Sequence, residues 1–270
     1  MPPIYVVGGV FYMILSRHIL IANAIKYNSN WDQILKAVQH NEEPEMEYIE
    51  MAMNMKCRAV TMLDETYPLQ LKNIYKPPFC LFYYGDISLI SDYRKCVSIV
   101  GSRENSLYGE KTTIEIASGL AKAGFNVVSG MAIGVDSIAQ TSCIEAGGKT
   151  VAVLGGGIDC CYPASNRKLY EEIKTNHLVI SEYYGSEAPS PVNFLIRNRI
   201  IAGLSRTLVV TEAKGHSGTL VTASLALQSN TDVMCVPYPA GEESKCNELI
   251  RAGAILVENS EQVIQSMNPY

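Results

Sequence analysis

Val97-Ser98-Ile99-Val100 runs straight into Gly101-Ser102-Arg103, and the same arrangement returns twice downstream. Val127-Val128 leads into Ser129-Gly130-Met131-Ala132-Ile133-Gly134, and Val151-Ala152-Val153-Leu154 leads into Gly155-Gly156-Gly157-Ile158-Asp159. An apolar strand ending in a small, polar turn is the repeating unit of an open parallel sheet, whose ligands bind at its carboxyl edge. Glycine and serine there let a backbone approach an anion closely, and a following helix aims its first N–H groups at that anion. The turns therefore predict a crevice that grips something phosphorylated.

Working outward, residues from Cys57 onward alternate strands with helices. Strands are expected over 58–63, 80–84, 96–100, 126–128, 150–154, 178–181, 207–211, 232–236 and 255–257. Helices are expected over 109–123, 135–146, 166–174, 197–204, 219–228 and 245–252. Successive β-α-β units of this length imply right-handed crossovers and a mainly parallel α/β sheet with helices on both faces. Residues 1–56 read instead as a small helical module, with helical spacing over Trp31 to Val38 before an acidic, proline-containing stretch. The apolar run Ile4 to Leu15 is cut by Arg17 and His18 before the ~18–20 residues a membrane span needs, so a buried helix is expected and no membrane partner.

At 270 residues and 47% apolar composition the chain can bury a substantial core. Its formal charge of −5 argues against a nonspecific, electrostatically driven nucleic-acid binder, so a polyanion site must be local. The 8 cysteines include no C-x-x-C pair and read as reduced cytoplasmic thiols. The 4 histidines form no ligand spacing with them, and no metal is expected.

Arg103 lies just past a strand end, where its planar fork suits two phosphate oxygens; otherwise Gly101-Ser102-Arg103 is a solvated surface turn. No G-x-G-x-x-G or G-x-x-x-x-G-K-[ST] occurs, which removes the standard dinucleotide and triphosphate signatures. Asp136 and Asp159 are expected to cap the helices that follow them rather than to touch a ligand. Phe194, Arg197, Asn198 and Arg199 stand together at the start of an apolar helix. Phosphate gripping by Arg197 or Arg199 with a base stacked near Phe194 is what single-strand recognition requires. In the other reading Phe194 is core and one arginine pairs with Glu182 or Glu212. Lys214 to Ala223 forms a fourth strand-end loop opening a helix, with Ser217 or Thr219 as its cap. Ser129 and Ser217 have no nearby histidine except His216, and no carboxylates pair at a spacing that suits acid and base, so nothing demands an enzyme.

In chain order the motifs run Leu63-Asp64-Glu65-Thr66-Tyr67-Pro68, Ile99-Val100-Gly101-Ser102-Arg103, Ser129-Gly130-Met131-Ala132-Ile133-Gly134-Val135-Asp136, Leu154-Gly155-Gly156-Gly157-Ile158-Asp159 with Tyr162-Pro163 and Asn166, Ser181-Glu182-Tyr183, Arg197-Asn198-Arg199-Ile200-Ile201-Ala202-Gly203-Leu204-Ser205 and Ser217-Gly218-Thr219. Over about 57–260 this resembles the DNA-processing protein A family (DprA, also called Smf). The resemblance implies an extended Rossmann-like fold over 57–270 that binds single-stranded DNA, forms a homodimer, and helps load RecA recombinase during natural transformation, with neither catalysis nor cofactor. Carried over by motif, Ser102, Arg103, Ser129, Gly130, Phe194, Arg197, Arg199 and Gly218 are the expected DNA contacts. Residues 1–56 match loosely the family's sterile-alpha-motif-like domain, and no winged helix is expected after the sheet.

The chain departs from the family pattern near Phe194, where Pro191-Val192-Asn193 and Leu195-Ile196 replace commonly basic neighbours. The rival expectation is a Rossmann-like enzyme that processes a nucleotide or nucleoside monophosphate in the same crevice, since fold alone does not choose between them.

Overall fold

The computed structural model describes residues 9–215, 218–239, 241, 242 and 244–267, with the backbone alone over 9–15. Ile4 to Gly8, His216 and Ser217 lie outside the described residues. Strands β1 (Arg58–Thr61), β2 (Cys80–Gly85), β3 (Cys96–Gly101), β4 (Asn126–Ser129), β5 (Thr150–Gly157), β6 (Leu178–Tyr183), β7 (Thr207–Glu212), β8 (Asp232–Cys235) and β9 (Ile255–Leu256) form one sheet in the order β1-β2-β6-β5-β4-β3-β7-β8-β9. β1, β2 and β6 pair antiparallel, and every pairing from β6 to β9 is parallel. The expected strands are all present, because short apolar runs between turn residues are a local signal.

Alternate strand residues face opposite layers. On one face α4 (Leu107–Lys122), α5 (Val135–Glu145) and α10 (Ser260–Met267) bury Ile116, Leu120, Ala139 and Val263 against Val97, Ile99 and Val127. The same face continues under α6 (Arg167–Asn176) and the N-terminal helices α1 (Gly9–Lys26), α2 (Trp31–Gln39) and α3 (Met46–Met53), whose Ile21, Ile34 and Ala52 join a cluster with Phe82, Ala152 and Val179. On the other face α7 (Pro191–Gly203), α8 (Gly218–Gln228) and α9 (Lys245–Arg251) cover Val100, Val128, Val151 and Val210. Among the described residues no helix is long and apolar enough to cross a membrane. All eight cysteines are free, and all but Cys160 are buried.

The chain lays down β3, β4, β5 and β6 in one direction, then returns to place β7 on the far side of β3. The loops leaving β3 and β7 therefore part toward helices on opposite faces, which opens a crevice at their carboxyl ends. Register shifts at Val100/Gly101 and Leu154/Gly157 re-aim the backbone at that edge.

Three local expectations are corrected. The triple glycine is not a turn: β5 continues to Gly157, and its missing side chains admit Phe194 and the 185–189 segment against the strand. α7 begins at Pro191, not Arg197, because the Ser190 hydroxyl accepts the Asn193 N–H at 3.2 Å and Pro191 takes the first helical position. α10 was not expected. It is short and polar, and its start is fixed from outside, by the Glu115 carboxylate accepting from the Ser260 amide at 3.1 Å and hydroxyl at 2.8 Å.

Candidate functional site

The crevice is walled by the turns that follow β3, β4, β5 and β7 and is crossed by the first turns of α7. Ser102 closes the β3 turn onto its neighbours. Its N–H donates to the Glu212 carbonyl at 2.9 Å, its carbonyl accepts from the Val135 N–H at 3.1 Å, and its hydroxyl accepts from the Glu104 N–H at 3.1 Å. That tight turn turns Arg103 out into solvent, where its guanidinium stands 5.3 Å over the Phe194 ring. Among the described residues no carboxylate pairs with it.

The β4 turn is arranged differently. Asp136 reaches back so that its Oδ2 accepts from the Gly130 and Ala132 amides at 3.2 and 3.4 Å. The cradle that glycine and small residues make here is occupied by the chain's own carboxylate. Arg197, only 4% exposed, lies against it. It donates to the Gly130 carbonyl at 2.7 Å, to the Val153 carbonyl, and through Nε to Asn198 Oδ1 at 3.2 Å. A Cβ on Gly130 would fall 2.6 Å from the guanidinium nitrogens, so glycine is what lets Arg197 lie flat on the turn. Burial lowers the Arg197 pKa to about 10 while Asp136 opposes the shift; burial raises Asp136 while Arg197 holds it down. The two are one buried unit. Ser129, fully buried, donates its hydroxyl to the Ile99 carbonyl at 2.7 Å.

Arg199 turns to the opposite side of α7 and forms a 2.7 Å ion pair with Glu182, both partners buried. This is the pairing that the alternative reading of the sequence allowed. Phe194 is half-buried: a Cβ on Gly155 would fall 2.7 Å from its Cδ1, the Tyr162 ring lies 5.6 Å away, and Arg197 stands 5.8 Å from its centroid. Gly218 opens α8 at the exposed edge, its carbonyl accepting from Asn198 Nδ2 at 3.4 Å and Thr222 Oγ1 at 2.9 Å. Ser102, Arg103, Ser129, Gly130, Phe194, Arg197 and Gly218 thus converge on one crevice through direct or one-step contacts, while Arg199 points away from it toward Glu182.

Neither aspartate caps the helix after it. Gly134 is the N-cap of α5, and Asp159 accepts from the Tyr84 hydroxyl at 2.8 Å. Two rim residues were not singled out from sequence. Lys214 places its ammonium 2.9 Å from Glu212 Oε1 and donates to the Glu104 carbonyl at 2.8 Å. Burial raises the Glu212 carboxyl, but Lys214 and the Ser106 amide and hydroxyl outweigh that and hold it below its ordinary value. Tyr162 was legible only as part of a motif; nothing in the sequence places it beside Phe194. Among the described residues no cluster of three or more His, Cys, Asp or Glu forms a metal site.

With this geometry in hand, the chain can be set beside known proteins. A family model described as DNA recombination-mediator protein A matches residues 58–268. DNA processing protein DprA of Streptococcus pneumoniae is 40% identical over 211 residues, which cover 77% of this chain and 74% of that protein. Its X-ray structure superposes with a TM-score of 0.75 at 33% identity, over 94% of this chain and 95% of that one. Protein Smf of Synechocystis sp. is 38% identical over 237 residues, 85% of this chain and 58% of that protein. DNA processing protein A of Helicobacter pylori, described for its unique single-stranded DNA binding mode, superposes with a TM-score of 0.72 at 30% identity, over 80% of this chain and 97% of that one. In sequence, in fold and over most of its length, the chain belongs to the DprA/Smf family of DNA recombination mediators.

Proposed function

We propose that this protein binds single-stranded DNA in the strand-end crevice, without catalysis or cofactor, and hands it to a RecA-type recombinase. The observation that carries the reading is Arg103, a solvent-facing guanidinium without a carboxylate partner among the described residues, fixed over an aromatic ring at the switch point of the sheet. Its fork takes two phosphate oxygens and Phe194 offers a face to a base, while Ser102 fixes the turn that carries Arg103 and the α8 start at Gly218 supplies backbone dipoles at the rim. Ser129, Gly130 and Arg197 act beneath them as the floor that sets the positions of the β4 turn and α7; Arg199 braces α7 from behind through Glu182. The family assignment and the single-strand binding described for the H. pylori relative support the reading.

The carboxylates buried near the crevice, Asp136, Glu182 and Glu212, are each held by amides or a cation, which leaves none of these three free to act as acid or base. A homodimer acting in the cytoplasm, protecting incoming DNA before recombinase loading, completes the proposal.

The test is fluorescence anisotropy of a labelled single strand of ~30 nucleotides against the matching duplex, at low and moderate salt. Single-strand preference that weakens with salt is expected, since phosphate contacts release counterions. Faster filament assembly by a RecA-type recombinase on single strands in the protein's presence tests the hand-over. Release of free base from nucleoside monophosphates would favour the enzyme.

A further inference from the structure

We propose that Tyr162 is a second nucleobase platform beside Phe194, so that the crevice holds two bases of one strand; this rests on the reading of the crevice as a single-strand site. Of the two rings, Tyr162 is the open one. It is 51% exposed, whereas Phe194 is packed over Gly155 with Arg103 and Arg197 at 5.3 and 5.8 Å from its centroid. A base that reaches Phe194 must compete with these cations, while Tyr162 is half exposed and, among the described residues, has no cation over its ring.

Single exposed aromatics are common on protein surfaces and need no function. Tyr162 differs in where it stands and how firmly. Its ring centroid is 5.6 Å from that of Phe194 at an interplanar angle of 40°. The segment that carries it is pinned before and after the ring. The Ile158 carbonyl accepts from the buried Tyr170 hydroxyl at 2.8 Å, and Asn166 Nδ2 donates to the Met131 carbonyl at 2.9 Å. A ring already held in place loses little entropy when a base stacks on it. The 5.6 Å separation exceeds the roughly 3.4 Å between neighbouring bases of a stacked strand. Two successive bases must therefore be drawn apart and tilted to use both rings, which a single strand permits and a duplex does not.

The experiment measures binding of the full chain and of Tyr162→Ala, Tyr162→Phe, Tyr162→Trp and Arg103→Ala to a labelled dT oligonucleotide across a salt series. Tyr162→Ala should raise Kd about tenfold with the slope of log K against log salt unchanged, because a stacked base carries no counterion release. Tyr162→Phe should bind like the parent. Tyr162→Trp keeps the bulk of the ring, and its added emission over that of Trp31 should be quenched on saturation with DNA. If Tyr162→Ala binds within twofold of the parent while Arg103→Ala binds weakly, the platform is wrong and the crevice stands. A changed salt slope in Tyr162→Ala, or unquenched Tyr162→Trp emission at saturation, also overturns the platform. If Arg103→Ala binds like the parent, the crevice reading falls and the platform with it.

Discussion

Arg103 and Arg197 stand within 6 Å of the same aromatic ring and have opposite surroundings. Arg103 leaves a turn whose hydrogen bonds are made by its neighbours' backbone, so its five donors face solvent. Arg197 sits on a turn that already contains a carboxylate, and spends its donors on Asn198 and on two carbonyls. A guanidinium whose donors are taken by carbonyls and an amide oxygen, with the Asp136 carboxylate's charge opposing its own nearby, adds little net attraction for an incoming phosphate. It holds shape, as Arg199 does with Glu182. In the proposed single-strand site of this acidic protein, the contact with DNA therefore rests on few cations, the others beneath them being neutralised within the fold.

The largest expected effect breaks the buried side of that contrast. Arg199→Ala strands the Glu182 carboxylate, 4% exposed, without its cation, and should lower stability by about 3–5 kcal/mol in urea unfolding. Replacing both partners by apolar residues, Arg199→Met with Glu182→Leu, should recover most of the loss. Next, Gly130→Ala drives a methyl into the Arg197 guanidinium and should cost about 1–3 kcal/mol in the same assay. An unchanged midpoint would mean that Arg197 is not held on the turn.

On the exposed side, Arg103→Ala should leave stability within about 0.5 kcal/mol. It should weaken single-strand binding about tenfold and flatten the salt slope by about 0.7, one phosphate's share on a single strand. A destabilised Arg103→Ala with unchanged DNA affinity would reverse the assignment of roles.

The smallest effect is in pH. Glu212 is held below its ordinary value of 4.5, so its native contacts stabilise the fold above that value and the benefit is lost as pH falls through the lowered one. Glu182 and Asp136 are raised by burial against Arg199 and Arg197, so their contribution runs the other way, diminishing as pH rises from the ordinary carboxylate range through the raised native values. The parent should exceed Glu212→Gln in stability near neutrality, and the difference should vanish in acid. A difference that persists after the carboxyl has been fully protonated in acid would place the Glu212 benefit in shape rather than charge.

The strands, the parallel sheet and the strand-end crevice were legible in the sequence because each depends on residues close together in the chain. An apolar run such as Val97 to Val100 makes a strand, and the small turn after it opens the edge. The start of α7 is likewise a local signal, a Ser190 cap followed by Pro191 at the first helical position. What depends on distant residues was not legible. Arg197 is buried by Gly130, 67 positions away, and Arg199 by Glu182, 17 positions away. Tyr162 and Phe194 meet only because Gly155 lets α7 lie on β5. Sequence by itself determined that Arg103, Arg197 and Phe194 would lie near the carboxyl edge of the sheet. Only the tertiary structure decided which guanidinium faces solvent, because that depends on which carboxylates and carbonyls the fold brings beneath it.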